Sequence, residues 1–203
     1  MKQQHLISLA NQLGLSLNQV MAEKLIGYIQ LLVKWNRSYN LTAIDDPEQM
    51  LVEHILDSLS IAPYLSGENI LDVGTGAGLP GIPLAIYYPH KQFVLLDSNG
   101  KKIRFLIQVI AELRLENARS VQARAEEYRS SHCFDCITSR AFSAVADMLI
   151  KTEHLCCPRG KWLAMKGRDP AAEVVGMSYP HQLIELTVPN LAKQRHLLII
   201  TKP

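Results

Sequence analysis

The stretch Leu71-Asp72-Val73-Gly74-Thr75-Gly76-Ala77-Gly78-Leu79-Pro80-Gly81 decides the fold of this chain. Its alternating glycines follow a short apolar run that is typical of a buried strand, and they precede a stretch with helical spacing. Glycine lets the backbone turn tightly and approach a ligand where a Cβ atom would collide. In α/β folds, such a turn lies at the carboxyl end of a strand, where ligands bind. The stretch therefore predicts an α/β fold with a ligand site at this turn.

Two ligands fit the glycine pattern. Gly76-x-Gly78-x-x-Gly81 matches the dinucleotide fingerprint, in which a helix N-terminus holds a pyrophosphate. Asp72-x-Gly74-x-Gly76-x-Gly78 matches the first motif of Rossmann-like methyltransferases. An acid two residues before the first glycine is unfavourable beside a pyrophosphate. It favours a cationic ligand such as S-adenosylmethionine, which carries sulfonium and ammonium groups.

Two later positions support an adenosine-containing ligand of either kind. Asp97 ends the next apolar run, where a carboxylate can accept hydrogen bonds from both ribose hydroxyls. Ala125-Glu126 follows the third predicted strand, at a corner that meets the adenine edge in methyltransferases. Taken alone, Glu126 is more often a surface acid that caps a helix.

Strands alternate with helices from residue 69 onward. Apolar runs predict strands over 70–73, 93–97, 120–123, 134–138 and 161–166, and a closing pair over 183–188 and 195–201. Helices are predicted over 80–88, 101–113 and from the fourth strand to about residue 155. This alternation predicts a mostly parallel seven-stranded sheet with helices on both faces.

Residues 1–62 show helical patterning instead. Ser16-x-x-Gln19 matches a capping box, and Asp46-Pro47 is typical of a helix start. A stripe with helical spacing lies between them and comprises Met21, Leu25, Tyr28, Ile29, Leu32 and Trp35. We therefore expect an N-terminal helical extension over 1–62, packed on a cofactor-binding core over 63–203.

Composition is that of an ordinary globular domain. The chain has 203 residues, 48% hydrophobic and 20% charged, with a net charge of +2. That charge neither indicates nor excludes a nucleic-acid partner, because a local basic face can be offset by acids elsewhere. The N-terminal region has no apolar signal segment, and no apolar run approaches the ~18 residues of a membrane span. We expect a cytoplasmic protein without membrane association.

The four cysteines allow a metal site or plain thiols. Cys133-x-x-Cys136 has the spacing of a zinc or redox pair, but Cys156-Cys157 lacks the matching spacing of a second pair. We therefore expect no metal, and four reduced thiols packed as small apolar groups.

Several segments together resemble the glucose-inhibited division protein B family, the 16S rRNA guanine-N7 methyltransferases. The glycine motif alone suits any class I methyltransferase, whereas the Trp-Asn-Arg and Ser-Arg-Ala segments make the resemblance specific. The matching segments cover most of the chain in order: Trp35-Asn36-Arg37-Ser38-Tyr39-Asn40-Leu41-Thr42, Glu53-His54-Ile55-Leu56-Asp57-Ser58, 72–83, Leu96-Asp97-Ser98, Ser139-Arg140-Ala141, Lys166-Gly167 and Arg195-His196-Leu197.

The resemblance implies a class I Rossmann-like fold that binds S-adenosylmethionine. Its substrate is the guanine at position 527 of small-subunit rRNA, within the small ribosomal subunit or its precursor, and we expect a monomer. Two departures are small: Ala77 replaces a frequent proline, and Ala125 replaces the usual valine or isoleucine. The implied cofactor contacts are Gly74, Gly76, Leu79, Asp97, Ala125, Glu126 and Arg140.

Basic residues at predicted strand ends or in loops are candidates for RNA binding around the cofactor cleft: Arg37, Arg140, Lys166, Arg168 and Arg195. His54 and Asp57 are one turn apart on a predicted helix of the N-terminal extension, and they suit either a catalytic pair or a structural role. We favour the structural role, because guanine N7 carries a lone pair and needs no general base. Two other functions remain open, a small-molecule methyltransferase and a non-enzymatic nucleotide-binding regulator. The short chain disfavours the first, and the full set of cofactor positions disfavours the second.

Overall fold

A computed structural model describes residues 3–140, 142, 144–168 and 170–203. Ala141, from the Ser-Arg-Ala segment, lies outside the described residues. The helices are α1 (Gln3–Gln12), α2 (Gln19–Tyr39), α3 (Pro47–Met50), a π-helical turn (Leu51–Leu56), α4 (Asp57–Leu59), α5 (Gly81–Tyr87), α6 (Gly100–Glu112) and α7 (Val145–Thr152). Short 3-10 turns occupy Ala62–Tyr64, Glu153–Leu155 and Ala171–Glu173. The strands are β1 (Asn69–Val73), β2 (Gln92–Asp97), β3 (Ala118–Gln122), β4 (Phe134–Ser139), β5 (Cys156–Lys166), β6 (His181–Glu185) and β7 (His196–Thr201).

The strands form one seven-stranded sheet in the order β3-β2-β1-β4-β5-β7-β6. β1 to β5 are parallel, and β7 pairs antiparallel with both β5 and β6. The predicted mostly parallel seven-stranded sheet is therefore confirmed. Strand order reverses at β1, which lies between β2 and β4, and this reversal opens a crevice outside the carboxyl ends of those strands. The glycine turn, Asp97 and Arg140 all follow strands that end there.

Two apolar clusters cover the two faces of the sheet. In β2, Phe93 and Leu95 belong to one cluster while Val94 and Leu96 belong to the other, as the two-residue period of a strand requires. The first cluster is shared with α1, α2, α5 and α6, and the second with α7. Because both faces are covered, the central strands are continuous apolar runs, which explains why the sequence identified them.

The predicted stripe of α2 packs into the first cluster. Tyr28 is fully buried, and its ring lies 6.3 Å from that of Phe105 in α6. The predicted helix start at Ser16 is wrong. Asn18 caps the helix instead, because its Oδ1 accepts a hydrogen bond from Met21 N at 2.8 Å. Asparagine caps as well as serine does, so the sequence alone does not distinguish the two positions.

The predicted start at Asp46-Pro47 is confirmed, with Asp46 Oδ1 accepting from Gln49 N at 2.7 Å. The helix then widens into a π-helical turn over Leu51–Leu56 before it continues as α4. This turn was not predicted, because its signal is a shift in hydrogen bonding and not a residue pattern. π-Helical turns are rare and occur often at functional sites.

Cys133 and Cys157 form a disulfide with Cα atoms 4.9 Å apart, so the expectation of four reduced thiols is wrong for this pair. Phe134 in β4 is the register partner of Cys156 in β5, and the flanking cysteines are therefore neighbours. Their sequence separation of 24 hides this contact from any local pattern. Cys136 and Cys156 are free and buried.

The described residues contain no helix that is long and apolar enough to cross a membrane. Within the same part of the chain, no group of three or more histidine, cysteine or acidic side chains is placed to hold a metal ion.

Candidate active site

Asp72 holds the glycine turn in shape from its buried side. Its side chain is completely buried, and Oδ2 accepts hydrogen bonds from Thr75 Oγ1 at 2.5 Å and from Gly81 N at 2.8 Å. Thr138 Oγ1 of β4 donates to Oδ1 at 3.2 Å. Burial raises the pKa of this carboxyl to about 6, against the lowering effect of its donors. The sequence predicted that the charge of Asp72 would favour a cationic ligand directly. Because Asp72 does not face the crevice, its role is instead to hold the glycine turn in shape.

The glycines of the turn divide into two sets. Gly74 and Gly76 have φ values of +66° and +61°, and a Cβ atom added to either would meet nothing closer than 3.8 Å. Their backbone is therefore open to a ligand. A Cβ atom at Gly78 would lie 2.5 Å from Ile82, and one at Gly81 would lie 2.3 Å from Leu95. This second set lets the turn pack against the core.

Asp97, at the end of β2, contacts the glycine turn directly. Its Oδ2 accepts from Gly76 N at 2.9 Å, and its Oδ1 accepts from Asn99 N at 2.9 Å. Lys102 Nζ lies 3.6 Å from Oδ2. A carboxylate offers about four acceptor positions, so Asp97 keeps capacity for further donors such as ribose hydroxyls.

A cavity of about 160 Å³ lies between these groups, and we call it the glycine-loop cavity. Its lining includes four of the predicted cofactor residues, Gly74, Asp97, Ala125 and Glu126. The last two are placed there by a turn in which the Arg124 carbonyl accepts from the N–H groups of residues 127 and 128. The remaining lining residues are Val73, Leu96, Ser98, Ala123, Arg124, Phe142 and Lys151.

A second cavity of about 270 Å³ lies between the sheet and the N-terminal helical extension over 1–62, which we call the head. We call this cavity the seam pocket. The head contributes Ile44, Glu53, His54 and Asp57. The sheet and its loops contribute Arg140, Met165, Lys166, Gly167 and Arg195. The structure thus brings three of the five candidate RNA-binding residues together in one place.

Asp57 ties the two walls of the seam pocket together. Its Oδ1 accepts from Arg195 Nε at 2.9 Å, and its Oδ2 lies 3.5 Å from Arg140 Nη1. The carboxylate side chain is only 3% exposed. Burial raises the pKa of Asp57, and the two guanidinium groups oppose that rise. Arg140 also donates to the backbone carbonyl of Glu53 at 3.0 Å, which adds a second link between β4 and the head.

His54 is neutral and fully engaged. Burial, followed by the nearby Arg140 charge, lowers its pKa to about 4. Its Nδ1 lies 3.5 Å from two nitrogens of Arg140, which can only donate, so Nδ1 is the acceptor. Nε2 then carries the proton and donates to Thr42 Oγ1 at 2.9 Å. Neither ring nitrogen is available to take a proton from a ligand.

Glu53 belongs to the Glu53–Ser58 motif and is a site residue for which the sequence predicted no role. Glu53 lines the seam pocket, and its carboxylate accepts from Lys193 Nζ at 2.7 and 2.9 Å and from Gln49 Nε2 at 2.8 Å. The signal available in the sequence was its spacing, since Glu53 and Asp57 are four residues apart and lie on one side of a helix.

The segment after β4 contributes a residue to each cavity. Arg140 lines the seam pocket and Phe142 lines the glycine-loop cavity. Lys166 connects them, because its Nζ lies 3.5 Å from the Phe142 carbonyl and 2.8 Å from Glu173 Oε2. The side chain of a seam-pocket residue thus reaches a residue that lines the glycine-loop cavity.

Four predicted site residues line neither of these cavities: Gly76, Leu79, Arg168 and Arg37. Leu79 is 4% exposed, and its side chain packs in the first apolar cluster and does not line either cavity. Arg37 lines a separate cavity on the head, together with Asn36, Asn40, Thr42 and Asp45. The expectation that Arg37 would belong to the ring of basic residues at the cofactor cleft is not met.

Comparison with known proteins gives extensive sequence matches. The family model described as rRNA small subunit methyltransferase G matches residues 21–198. Ribosomal RNA small subunit methyltransferase G of Vibrio vulnificus is 48% identical over 203 residues, which cover 98% of this chain and 96% of that protein. The protein of the same name from Nitrosococcus oceani is 52% identical over 189 residues, covering 92% of this chain and 88% of that protein.

Solved structures show the same fold at low sequence identity. An O-methyltransferase from Bacillus cereus superimposes with a TM-score of 0.61 at 17% identity, over 87% of this chain and 91% of that chain. A SAM dependent methyltransferase from Aquifex aeolicus gives a TM-score of 0.60 at 14% identity, over 81% and 97%. At these identities the likeness shows the fold alone.

Proposed function

Because this chain belongs to the rRNA small subunit methyltransferase G family, we propose that it transfers the methyl group of S-adenosylmethionine to N7 of a guanine in 16S ribosomal RNA. Position 527 is the target that the family resemblance implies. The observation that carries the proposal is the pair of cavities linked by the segment after β4, one beside the glycine turn and one lined by three basic side chains.

The glycine-loop cavity suits the adenosine part of S-adenosylmethionine. Asp97 has acceptor capacity for ribose hydroxyls, Ala125 and Glu126 form the corner that meets adenine, and the open backbone at Gly74 and Gly76 admits the methionine part. When bound, S-adenosylmethionine supplies an electrophilic methyl group. Arg140 lines the seam pocket and Phe142, two residues on, lines the glycine-loop cavity, so this segment would lie near both ligands.

The reaction needs orientation and not proton removal. Guanine N7 attacks with a lone pair that the neutral base already carries, so no general base takes part. His54 and Asp57 act as structural groups, because the first is a neutral hydrogen-bonded ring and the second is paired with two arginines. Arg140, Arg195 and Lys166 donate hydrogen bonds to guanine O6 and to nearby phosphates, and they hold N7 in line with the methyl group.

The RNA partner is the small ribosomal subunit or its precursor, bound by a monomer of this chain. Residues 1–62 act as an extension that forms one wall of the seam pocket. Arg37, on its separate head cavity, extends the RNA contact beyond the target base. Phosphate contacts of this kind make affinity fall steeply with salt.

The test is transfer of labelled methyl groups to small subunits, assembly precursors and deproteinised 16S rRNA, each from a strain that lacks the gene. We expect 7-methylguanosine at a single position in at least one of these substrates, identified by nucleoside mass spectrometry. Calorimetry should show binding of S-adenosylmethionine and S-adenosylhomocysteine but not of NAD.

A matched pair of glycine variants controls for backbone strain. Gly76→Val places a side chain in the open face of the turn and should abolish cofactor binding. Gly14→Val also introduces a side chain at positive φ with nothing within 4 Å, but it lies between α1 and α2 and should preserve transfer. Methylation of another atom, or cofactor binding with no transfer to any of the three RNAs, would refute the proposed function.

A further inference from the structure

We infer that Glu53 determines guanine specificity by accepting a hydrogen bond from the exocyclic N2 amine of the target base. This inference rests on the proposed function, since it assumes that the seam pocket holds the target guanine. The cavity of about 270 Å³ is smaller than the ~300–1,000 Å³ of sites for drug-sized ligands, and it suits a group of the size of one base.

Glu53 is ionised and keeps acceptor capacity. Its hydrogen bond with Lys193 is the main cause that lowers the pKa of its carboxyl below the ordinary value. Oε1 accepts from both Gln49 and Lys193, whereas Oε2 accepts from Lys193 alone. Since each carboxylate oxygen has two acceptor positions, Oε2 has one left for a ligand.

The other acids near the pocket are committed to cations. Asp57 has one oxygen on Arg195 and the other beside Arg140, and it is almost completely buried. Glu173 bonds Lys166 and the backbone N–H of Val145, and it does not line the pocket. Asp57 also has unfilled acceptor positions by this count, but its side chain is 3% exposed against 12% for Glu53. Among the described carboxylates that line the seam pocket, Glu53 is thus the more accessible to a ligand.

The two walls of the pocket match the two edges of guanine. Arg140, Arg195 and Lys166 stand on the sheet side and suit O6, which accepts hydrogen bonds. Glu53 stands on the head side and suits the N2 amine, which donates. Adenine has N7 as well, but it has an amine in place of O6 and no N2 amine. It would therefore meet unfavourable partners on both walls.

The experiment compares guanine with inosine at the target position of reconstituted small subunits. Inosine keeps N7 and O6 and lacks only the N2 amine. For the wild-type chain we expect kcat/KM to fall ~10- to 100-fold on this replacement, because an acceptor built for a donor is left unpaired. For Glu53→Ala the ratio of guanine to inosine should fall to about one, and for Glu53→Gln it should be intermediate.

Two controls separate recognition from positioning. Lys193→Ala removes the partner of Glu53 and leaves the carboxylate, so the guanine-to-inosine ratio should stay near the wild-type value. Asp57→Asn disturbs both arginines and should lower transfer to guanine and inosine equally. Calorimetric affinity for S-adenosylhomocysteine checks that each variant retains its folded cofactor cavity.

A wild-type ratio in Glu53→Ala would overturn the inference. So would an equal loss of the ratio in Lys193→Ala, which would show that Glu53 acts only by holding that lysine. In either case the wild-type chain still methylates guanine, and the proposed function stands. Failure of the wild-type chain to methylate guanine at all would instead refute the proposed function.

Discussion

Asp72 under the glycine turn and Asp57 in the seam are both buried aspartates, yet they are satisfied in opposite ways. Asp72 accepts from two hydroxyls and one backbone N–H, all neutral donors. Asp57 lies between two guanidinium groups that come from β4 and from the loop before β7. The first arrangement fixes the shape of one turn, and the second joins separate parts of the chain by charge.

This difference predicts which change destabilises each of the two cavities. Neutral donors leave the charge of Asp72 uncompensated, so the glycine turn responds to pH. Paired charges make the seam sensitive to the loss of one partner, because the other partners then remain desolvated without a counter-charge. The glycine turn should therefore lose stability as pH rises, whereas the seam should lose it when a charged partner is removed or when His54 is protonated at low pH.

The largest expected effect is at Asp57. Asp57→Ala leaves Arg140 and Arg195 without their shared counter-charge, and it should lower the free energy of unfolding by about 3–5 kcal/mol. Methyl transfer in the remaining folded protein should fall ~100-fold, since both cations lose their fixed positions. Urea denaturation and single-turnover rates provide the measurements. A loss of stability below about 1 kcal/mol would show that the seam does not depend on the paired charges of Asp57, and it would contradict the contrast drawn with Asp72.

The next effect is at His54, whose pKa falls from about 6.5 to about 4 on folding. A depressed folded-state pKa stabilises the protein above pH 6.5, and this contribution is lost as pH falls toward 4. Protonation should cost on the order of 3 kcal/mol over that window. His54→Gln should remove this loss, so its stability relative to wild type should improve as pH falls. Parallel profiles for the two proteins from pH 7 to pH 4 would contradict the assignment.

Asp72 should act in the reverse direction. Its pKa rises from 3.8 to about 6 on folding, so its contribution is present below pH 3.8 and is lost as pH rises through 6. The change is about 2–3 kcal/mol. Asp72→Asn should therefore gain stability relative to wild type between pH 4 and 6. Because His54 and Asp72 have opposite slopes over this range, the wild-type profile should be flatter than that of either variant.

The smallest expected effect is on the rate. His54 stays neutral and no base titrates in the transfer step, so single-turnover methyl transfer should change less than about twofold from pH 6.5 to 8.5. Saturating cofactor and RNA isolate the chemical step in this measurement. A rate that rises tenfold per pH unit, and that flattens in a well-folded His54→Gln variant, would refute the base-free mechanism.

The same contrast separates what the sequence predicts from what it does not. The hydrogen bonds of Asp72 with Thr75 and Gly81 join residues that lie within ten positions of one another. The glycine turn, Asp97 and the central strands are likewise marked by local sequence patterns. The seam depends on partners far apart in the chain, such as Glu53 and Lys193, which are 140 residues apart. No periodicity encodes that separation. The same limit explains the disulfide and the place of Arg37 in a separate cavity, whereas the π-helical turn is a local shift in hydrogen bonding that no residue pattern marks.

The position of β7 has a consequence for the synthesis of the protein. β7 follows β6 in the chain but lies between β5 and β6 in the sheet. A nascent chain that has not yet emerged through β7 cannot attach β6 to the sheet, and it lacks Arg195 as the partner of Asp57. The glycine turn can form earlier, because the strands around it, β1, β2 and β4, are all translated before β7. Cofactor binding should thus mature during elongation, whereas RNA engagement begins only when elongation has passed this strand.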